Sequence, residues 1–174
     1  DKTANAIDCQ AEAANKVGMR VLLTRGSMSL GKDQGGLPPN EVVQSAETIL
    51  NDSERVIKAY HDGKEGSMIQ IALAPCSPFS VTTELMRDSS TLARQYSVML
   101  HTHLAETQDE NKFCIEMFGL RPLDYLESVA WLDDDVWLAH GIHFTETEIK
   151  RLGEAGTAIS HCPGSNMLLA SGLC

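Results

Sequence analysis

No segment of this chain approaches the roughly 18 uninterrupted apolar residues that a membrane-spanning helix needs. The opening Asp-Lys-Thr-Ala-Asn-Ala has neither the basic nor the apolar region of a secretory leader. An excess of positive charge is also missing. The 24 acidic residues against 14 basic ones leave a formal net charge of -10, which argues against a surface that gathers phosphates or holds duplex nucleic acid. A small neutral or cationic ligand fits that balance better. No CxxC pair occurs among Cys9, Cys76, Cys114, Cys162 and Cys174, an odd and scattered set, so reduced thiols are expected rather than a zinc ribbon or a redox pair. No GxGxxG or GxxxxGK[ST] follows an apolar run, which removes the nucleotide-phosphate cradles. The chain opens without a Met and stops at Ser-Gly-Leu-Cys after a loop-like stretch, so it reads as cut at both ends. A soluble cytoplasmic protein is expected, with no membrane or nucleic-acid partner; its oligomeric state stays open, a homo-oligomer included.

What is present is an ordinary globular composition: 174 residues, 43% hydrophobic and 22% charged, enough for one substantial core. Apolar spacing predicts an amphipathic helix over residues 4–17, ended by Gly18. A strand follows at 19–24. Residues 25–40 are rich in Gly, Ser and Pro, a long loop of the kind that is usually functional or mobile. Asn40 is expected to cap a helix over 41–60, and His61, before Asp62-Gly63, to be an exposed turn residue. Strands then fall at 68–74, 98–103, 136–140 and 157–161, with helices at 83–96, 107–118, 122–130 and 146–154 between them. Pro122 suits a first helical turn. Five apolar strands joined by helical crossovers predict an α/β fold with a parallel sheet buried on both faces. It is either an open doubly wound sheet or part of a (β/α)8 barrel.

The polar chemistry gathers at strand ends. Residues 100–106 read Leu-His-Thr-His-Leu-Ala-Glu. Strand alternation points His101 and His103 the same way, and Glu106 falls just beyond the strand, where α/β folds place function. Neutral imidazole suits zinc or iron, and a nearby carboxylate that is not a ligand can move a proton from an activated water to a leaving group. Alone, an HxH reads more readily as two strand histidines satisfied by their neighbours. Other strands, however, end in Arg25 and Ser27, in Cys76 and Ser77, in His140, and in His161 and Cys162. Only a barrel converges such ends on one site, so the barrel is favoured.

Three ordered motifs, the 100–106 segment with Thr107, Leu-Ala-His-Gly at 138–141, and Ser-His-Cys-Pro-Gly-Ser-Asn-Met at 160–167 with Ser171-Gly172, resemble the amidohydrolase superfamily. More closely they resemble its aminohydrolases of nucleobases and s-triazines, over essentially the whole chain. Arg-Gly-Ser-Met-Ser-Leu-Gly at 25–31 and Ala-Pro-Cys-Ser-Pro-Phe-Ser-Val at 74–81 narrow the likeness toward purine deamination. The resemblance implies the third to seventh strands of a (β/α)8 TIM-type barrel, so that residues 1–174 form a partial catalytic domain. It implies one divalent metal ion, zinc before iron, and hydrolytic deamination of a purine-type ring by metal-activated water. The favoured substrate is 8-oxoguanine, giving urate and ammonia. His103 matches the metal ligand of the fifth strand, Glu106 the proton shuttle, and His140 the histidine beside the metal that orients or polarises the nucleophile.

Cys76 stands where related deaminases often carry a substrate-contacting histidine, and reads equally as a specificity residue or a small buried thiol. Arg25 either donates to a purine carbonyl or pairs with a carboxylate. His101, deeper in the barrel, is expected to be structural, and His143 solvated or helix-capping. The loop after His161, with Ser165 and Asn166 bonding their own backbone, is expected to shape the pocket rather than perform chemistry. The family's first-strand HxH and eighth-strand Asp are not in this sequence. Without them, and with five strands, the chain by itself is expected to be inactive. The alternatives are an s-triazine aminohydrolase or chlorohydrolase, a guanine or S-adenosylhomocysteine deaminase, a barrel fragment that binds without metal, and, least favoured for want of glycine fingerprints, a doubly wound nucleotide-binding protein.

Overall fold

The computed structural model describes residue 3 and residues 5–173. Its elements are α1 (Ala6–Val17), β1 (Val21–Ser27), α2 (Ala46–Tyr60), β2 (Ile69–Pro75), α3 (Thr83–Tyr96), β3 (Met99–Leu104), α4 (Gln108–Phe118), α5 (Pro122–Ser128), β4 (Val136–His140), α6 (Glu146–Ala155), β5 (Ala158–Ser160) and α7 (Pro163–Leu168). All pairings are parallel and the strand order is β1-β2-β3-β4-β5. A doubly wound sheet reverses its order at a switch point; a barrel adds each strand beside the last. The unbroken order is therefore that of a barrel arc. No helix among the described residues is long and apolar enough to cross a membrane.

Register sorts side chains onto the two faces. Arg25 pairs with Leu73, Leu73 with Leu100, and Leu100 with Val136, so these share the face covered by helices. The core lies there, built on Ile71, Leu73, Leu100, Leu104, Val136 and Leu138 against residues of the helices, Leu85, Met86 and Leu126 among them. The opposite face is not fully buried, against the expectation from the apolar strands: Leu22 and Met99 are exposed, and His101, His103 and Trp137 half-buried. In a barrel that face looks inward, and side chains from strands across the barrel fill it.

Hydroxyl caps set the starts of α2, α3, α4 and α6. Ser45 accepts from the Thr48 amide, Thr82 from Leu85, Thr107 from Glu110 and Thr145 from Glu148. α2 thus begins at Ala46 rather than at Glu41. Asn40 instead accepts from the Asp33 amide at 3.2 Å and opens a 3-10 turn, Asn40–Val42. The Gly-rich loop after β1 is tied down: Ser29 and Leu30 donate to the Ser80 carbonyl and Leu37 to that of Phe79. Gly36 permits this path, because a Cβ there would collide with the Leu30 carbonyl. His61 is half-buried, not an exposed turn residue, and its Nδ1 accepts from the Ile71 amide at 3.1 Å. Cys9, Cys76, Cys114 and Cys162 are free thiols; Cys174 lies outside the described residues.

Trp131 closes the core beneath α3. It is 0% exposed, and its indole N–H donates to the Met86 carbonyl at 2.8 Å. Trp131→Ala leaves a large cavity and an orphaned carbonyl, and is expected to cost about 3–5 kcal/mol. Urea or guanidinium unfolding measures it. A loss under about 1 kcal/mol contradicts this packing.

Candidate functional site

Three strand ends meet at one edge of the sheet. β2 runs out at Pro75 into Cys76, whose carbonyl accepts from the His103 backbone N–H at 3.0 Å and lies 2.6 Å from His103 Nδ1. In the neutral ring, with Nδ1 carrying the proton for that contact, Nε2 of His103 is the free lone pair. β3 then ends in a left-handed residue, Ala105 at φ 53, and β4 in another, His140 at φ 76. Positive φ in non-glycine residues is costly and survives where surrounding bonds over-determine it. Here Gly141 donates to the Leu104 carbonyl, and Ile142 and His143 both donate to that of Ala105. The left-handed step matters for His140. Its place in β4 aligns it with Leu138 and Val136, on the helix side, but the turn brings its ring to the strand ends.

The result is a compact group. The His103 and His140 rings lie 5.4 Å apart between centroids, and His140 Nε2 is 3.5 Å from Glu106 Oε1. His140 is 5% exposed, and its Nδ1 donates to Asn166 Oδ1 at 2.8 Å, which turns Nε2 toward Glu106. The Cys76 thiol raises the His103 pKa to about 9 against the opposing effect of burial. For Cys76 itself burial works the other way, yet the His103 ring and the Ser80 and Ser77 hydroxyls hold its pKa below the usual thiol range. Metal ligation would require this imidazole in its neutral form.

Arg25 is not in this group. Its guanidinium points to the helix side, donating to Asp52 at 2.6 Å, to Gln44 at 3.2 Å and to the Gly26 carbonyl. Of the two roles open to it, carboxylate pairing is the one seen: the donors face Asp52 of α2, Gln44 before it and the Gly26 carbonyl of β1. His101 shares the inward face with His103 but stacks on Trp137 at 4.6 Å, with Nδ1 3.0 Å from the Trp137 carbonyl. His143 Nε2 donates to the Ser171 carbonyl at 2.9 Å, so it ties down the segment after α7 rather than facing solvent or capping a helix. His161 is exposed.

Asn166 takes a role other than the one the sequence suggests. The stretch after His161 contains a short helix, α7, which opens on Pro163 and buries Asn166. Asn166 bonds His140 rather than its own loop backbone. Pro163 at a first helical turn was the available signal.

Two imidazoles with Nδ1 fixed and Nε2 facing the strand ends, beside a carboxylate, suit the chemistry of a zinc-type site. They make only part of one. Among the described residues no three of His, Cys, Asp and Glu form a metal-holding group.

The sequence pattern of the amidohydrolase family matches residues 1–174. The chain is 64% identical over 169 residues to an 8-oxoguanine deaminase of Pseudomonas aeruginosa, covering 97% of this chain and 38% of that protein. It is 38% identical to a hydroxydechloroatrazine ethylaminohydrolase of Pseudomonas sp. (strain ADP), covering 95% and 34%. Among solved structures, the atrazine chlorohydrolase of Arthrobacter aurescens TC1 complexed with zinc superposes with a TM-score of 0.93 at 32% identity, covering 97% of this chain and 37% of the other. The chain thus spans little more than a third of the length of these relatives.

Proposed function

The chain belongs to the amidohydrolase family, and from that premise we propose that it is the central part of a metal-dependent aminohydrolase acting on a purine-type ring, with 8-oxoguanine as substrate. The reaction exchanges the exocyclic amino group for a carbonyl: 8-oxoguanine and water give urate and ammonia. The observation that carries the reading is the placement of Glu106 Oε1 3.5 Å from His140 Nε2, beside His103, at adjoining strand ends. The choice of 8-oxoguanine rests on the 64% identity to a deaminase of that name.

In this reading His103 holds the ion through Nε2, and the other ligands and the remaining strands come from sequence flanking these 174 residues. When bound, the ion lowers the pKa of water toward neutrality. Zinc is the proposed metal, because imidazole suits it and the triazine enzyme above was solved with zinc. Glu106 accepts a proton from the attacking water and delivers it to the ring nitrogen. It then takes the second proton from the hydroxyl left on the ring carbon and gives it to the departing amine as the carbonyl forms. His140, fixed at Nδ1 by Asn166, presents Nε2 to the same space and steadies charge as the ring carbon becomes tetrahedral. Cys76, at the end of β2 and against His103, is the proposed specificity residue at the ring edge.

Ammonia release by the full-length protein from 8-oxoguanine, guanine, cytosine and hydroxylated triazines tests the proposal, with metal analysis alongside. We expect kcat/KM to be highest for 8-oxoguanine, urate to accumulate, and about one metal ion per subunit. Release from guanine or a triazine but not from 8-oxoguanine overturns the substrate. A metal-free, inactive full-length protein overturns the enzyme reading in favour of a binding module.

A further inference from the structure

The pattern Thr-x-x-Glu starts two helices in this chain, and the two glutamates behave differently. At α6, Thr145 caps the helix and Glu148 reaches back to the Thr145 N–H at 2.7 Å, closing the ordinary reciprocal box. At α4, Thr107 likewise accepts from the Glu110 N–H at 3.3 Å. The Glu110 carboxylate, however, passes over Thr107 and takes the N–H groups of Ala105 at 2.8 Å and Glu106 at 3.1 Å, one on each oxygen. A cap serving α4 alone would bond the N–H of Thr107, as Glu148 does for Thr145. The residues bound instead are the left-handed Ala105 and the carboxylate-bearing Glu106 that follows it. Glu110 is 1% exposed, so its carboxylate is desolvated to make these two bonds. Burial pushes its pKa up to about 7, with the two amide donors opposing.

We propose that Glu110 is a positioning residue: it clamps the turn at Ala105 and Glu106 so that the Glu106 carboxylate stands beside His140. This rests on the reading of Glu106 as proton carrier. Glu110 touches neither the ion nor the ring; it acts through the backbone of the residue that does the chemistry. A misplacement on the order of 1 Å is enough to cost about 100-fold in rate, and the turn it holds is one the backbone does not adopt unaided.

The test is a double-mutant cycle in the full-length enzyme: parent, Glu110→Gln, Glu106→Gln and the double variant, each assayed for kcat and KM with 8-oxoguanine. Glu110→Gln is near-isosteric and retains one acceptor. It is expected to lower kcat by about 10–100-fold with KM changed less than about threefold. In the Glu106→Gln background the same change should cost less than about twofold, because the group being positioned is already gone. An equal factor in both backgrounds, or an unchanged kcat in Glu110→Gln, overturns the inference and leaves the role of Glu106 intact. An unchanged kcat in Glu106→Gln removes both. Glu148→Ala, which removes the acceptor of the ordinary box at α6, serves as the control for helix capping and should lower stability without the kcat loss. If Glu110→Gln folds poorly, the cycle is run on an Ala105→Gly background, where glycine takes the left-handed turn without the Cβ penalty.

Discussion

Glu106→Gln is expected to lower kcat for ammonia release by about 1,000-fold while leaving KM, metal content and the fold nearly as they were. The amide matches the carboxylate in size, and Glu106 is not a buried core group; a quarter of its side chain is exposed, at 25%. Its backbone is held independently of its side chain by Glu110 and by the bonds that zip Ala105 to Ile142 and His143. What glutamine cannot do is accept a proton from water and return it to the ring and the amine. A general acid–base group in direct reach contributes on the order of 100- to 10,000-fold, and one group serving successive transfers belongs in the upper part of that range. The loss should fall on kcat, because the interaction is made in the transition state and not in substrate binding. Steady-state kinetics with matched metal analysis decides it. A variant within about threefold of the parent would remove Glu106 from the mechanism and leave His140 as the remaining proton carrier of the group.

How far the sequence anticipates this group can be argued residue by residue. α3 (Thr83–Tyr96) and β4 (Val136–His140) are found where apolar spacing puts them, because each has an unambiguous period and a cap or break at its ends. The start of α2 is not. Asn40 is a good capping residue, but a capping side chain has a choice of amides, and here the loop offers Asp33. Short α7 escapes notice because a six-residue helix shows less than two turns of periodicity, and its Gly and Ser read as loop. At the site, the inward direction of His103 follows from alternation within β3. The side chosen by Arg25 does not, since both faces of β1 carry apolar residues and only the pairing with Leu73 tells them apart. His140 is a harder case. Alternation alone sends it to the helix side, and it enters the site through a left-handed turn that no local pattern announces. Its contact with Asn166 spans 26 residues and belongs to tertiary structure alone.

His103→Asn should abolish metal binding and activity together. The substitution separates the two sides of the ring: the asparagine amide N can still donate to the Cys76 carbonyl as Nδ1 does at 2.6 Å, while nothing replaces Nε2. The turn and the sheet are therefore expected to survive, and the effect to be one of ligation. In the full-length enzyme the metal content should fall from about one to under about 0.1 per subunit after dialysis, with activity down by more than about 1,000-fold. Stability supplies an independent readout. A bound ion stabilises the folded state in proportion to the logarithm of its concentration over Kd, by about 4 kcal/mol at 1,000 times Kd. A chelator should thus lower the Tm of the parent and leave that of His103→Asn unchanged. His101→Asn is the matched comparison, since His101 looks the same way but is stacked on Trp137 with its Nδ1 at the Trp137 carbonyl. It should keep the metal and the chelator response. If instead His103→Asn retains a full complement of metal and His101→Asn loses it, the ligand of the β3 pair is the deeper histidine, and the inward face of the arc binds its ion one side-chain repeat further down the barrel.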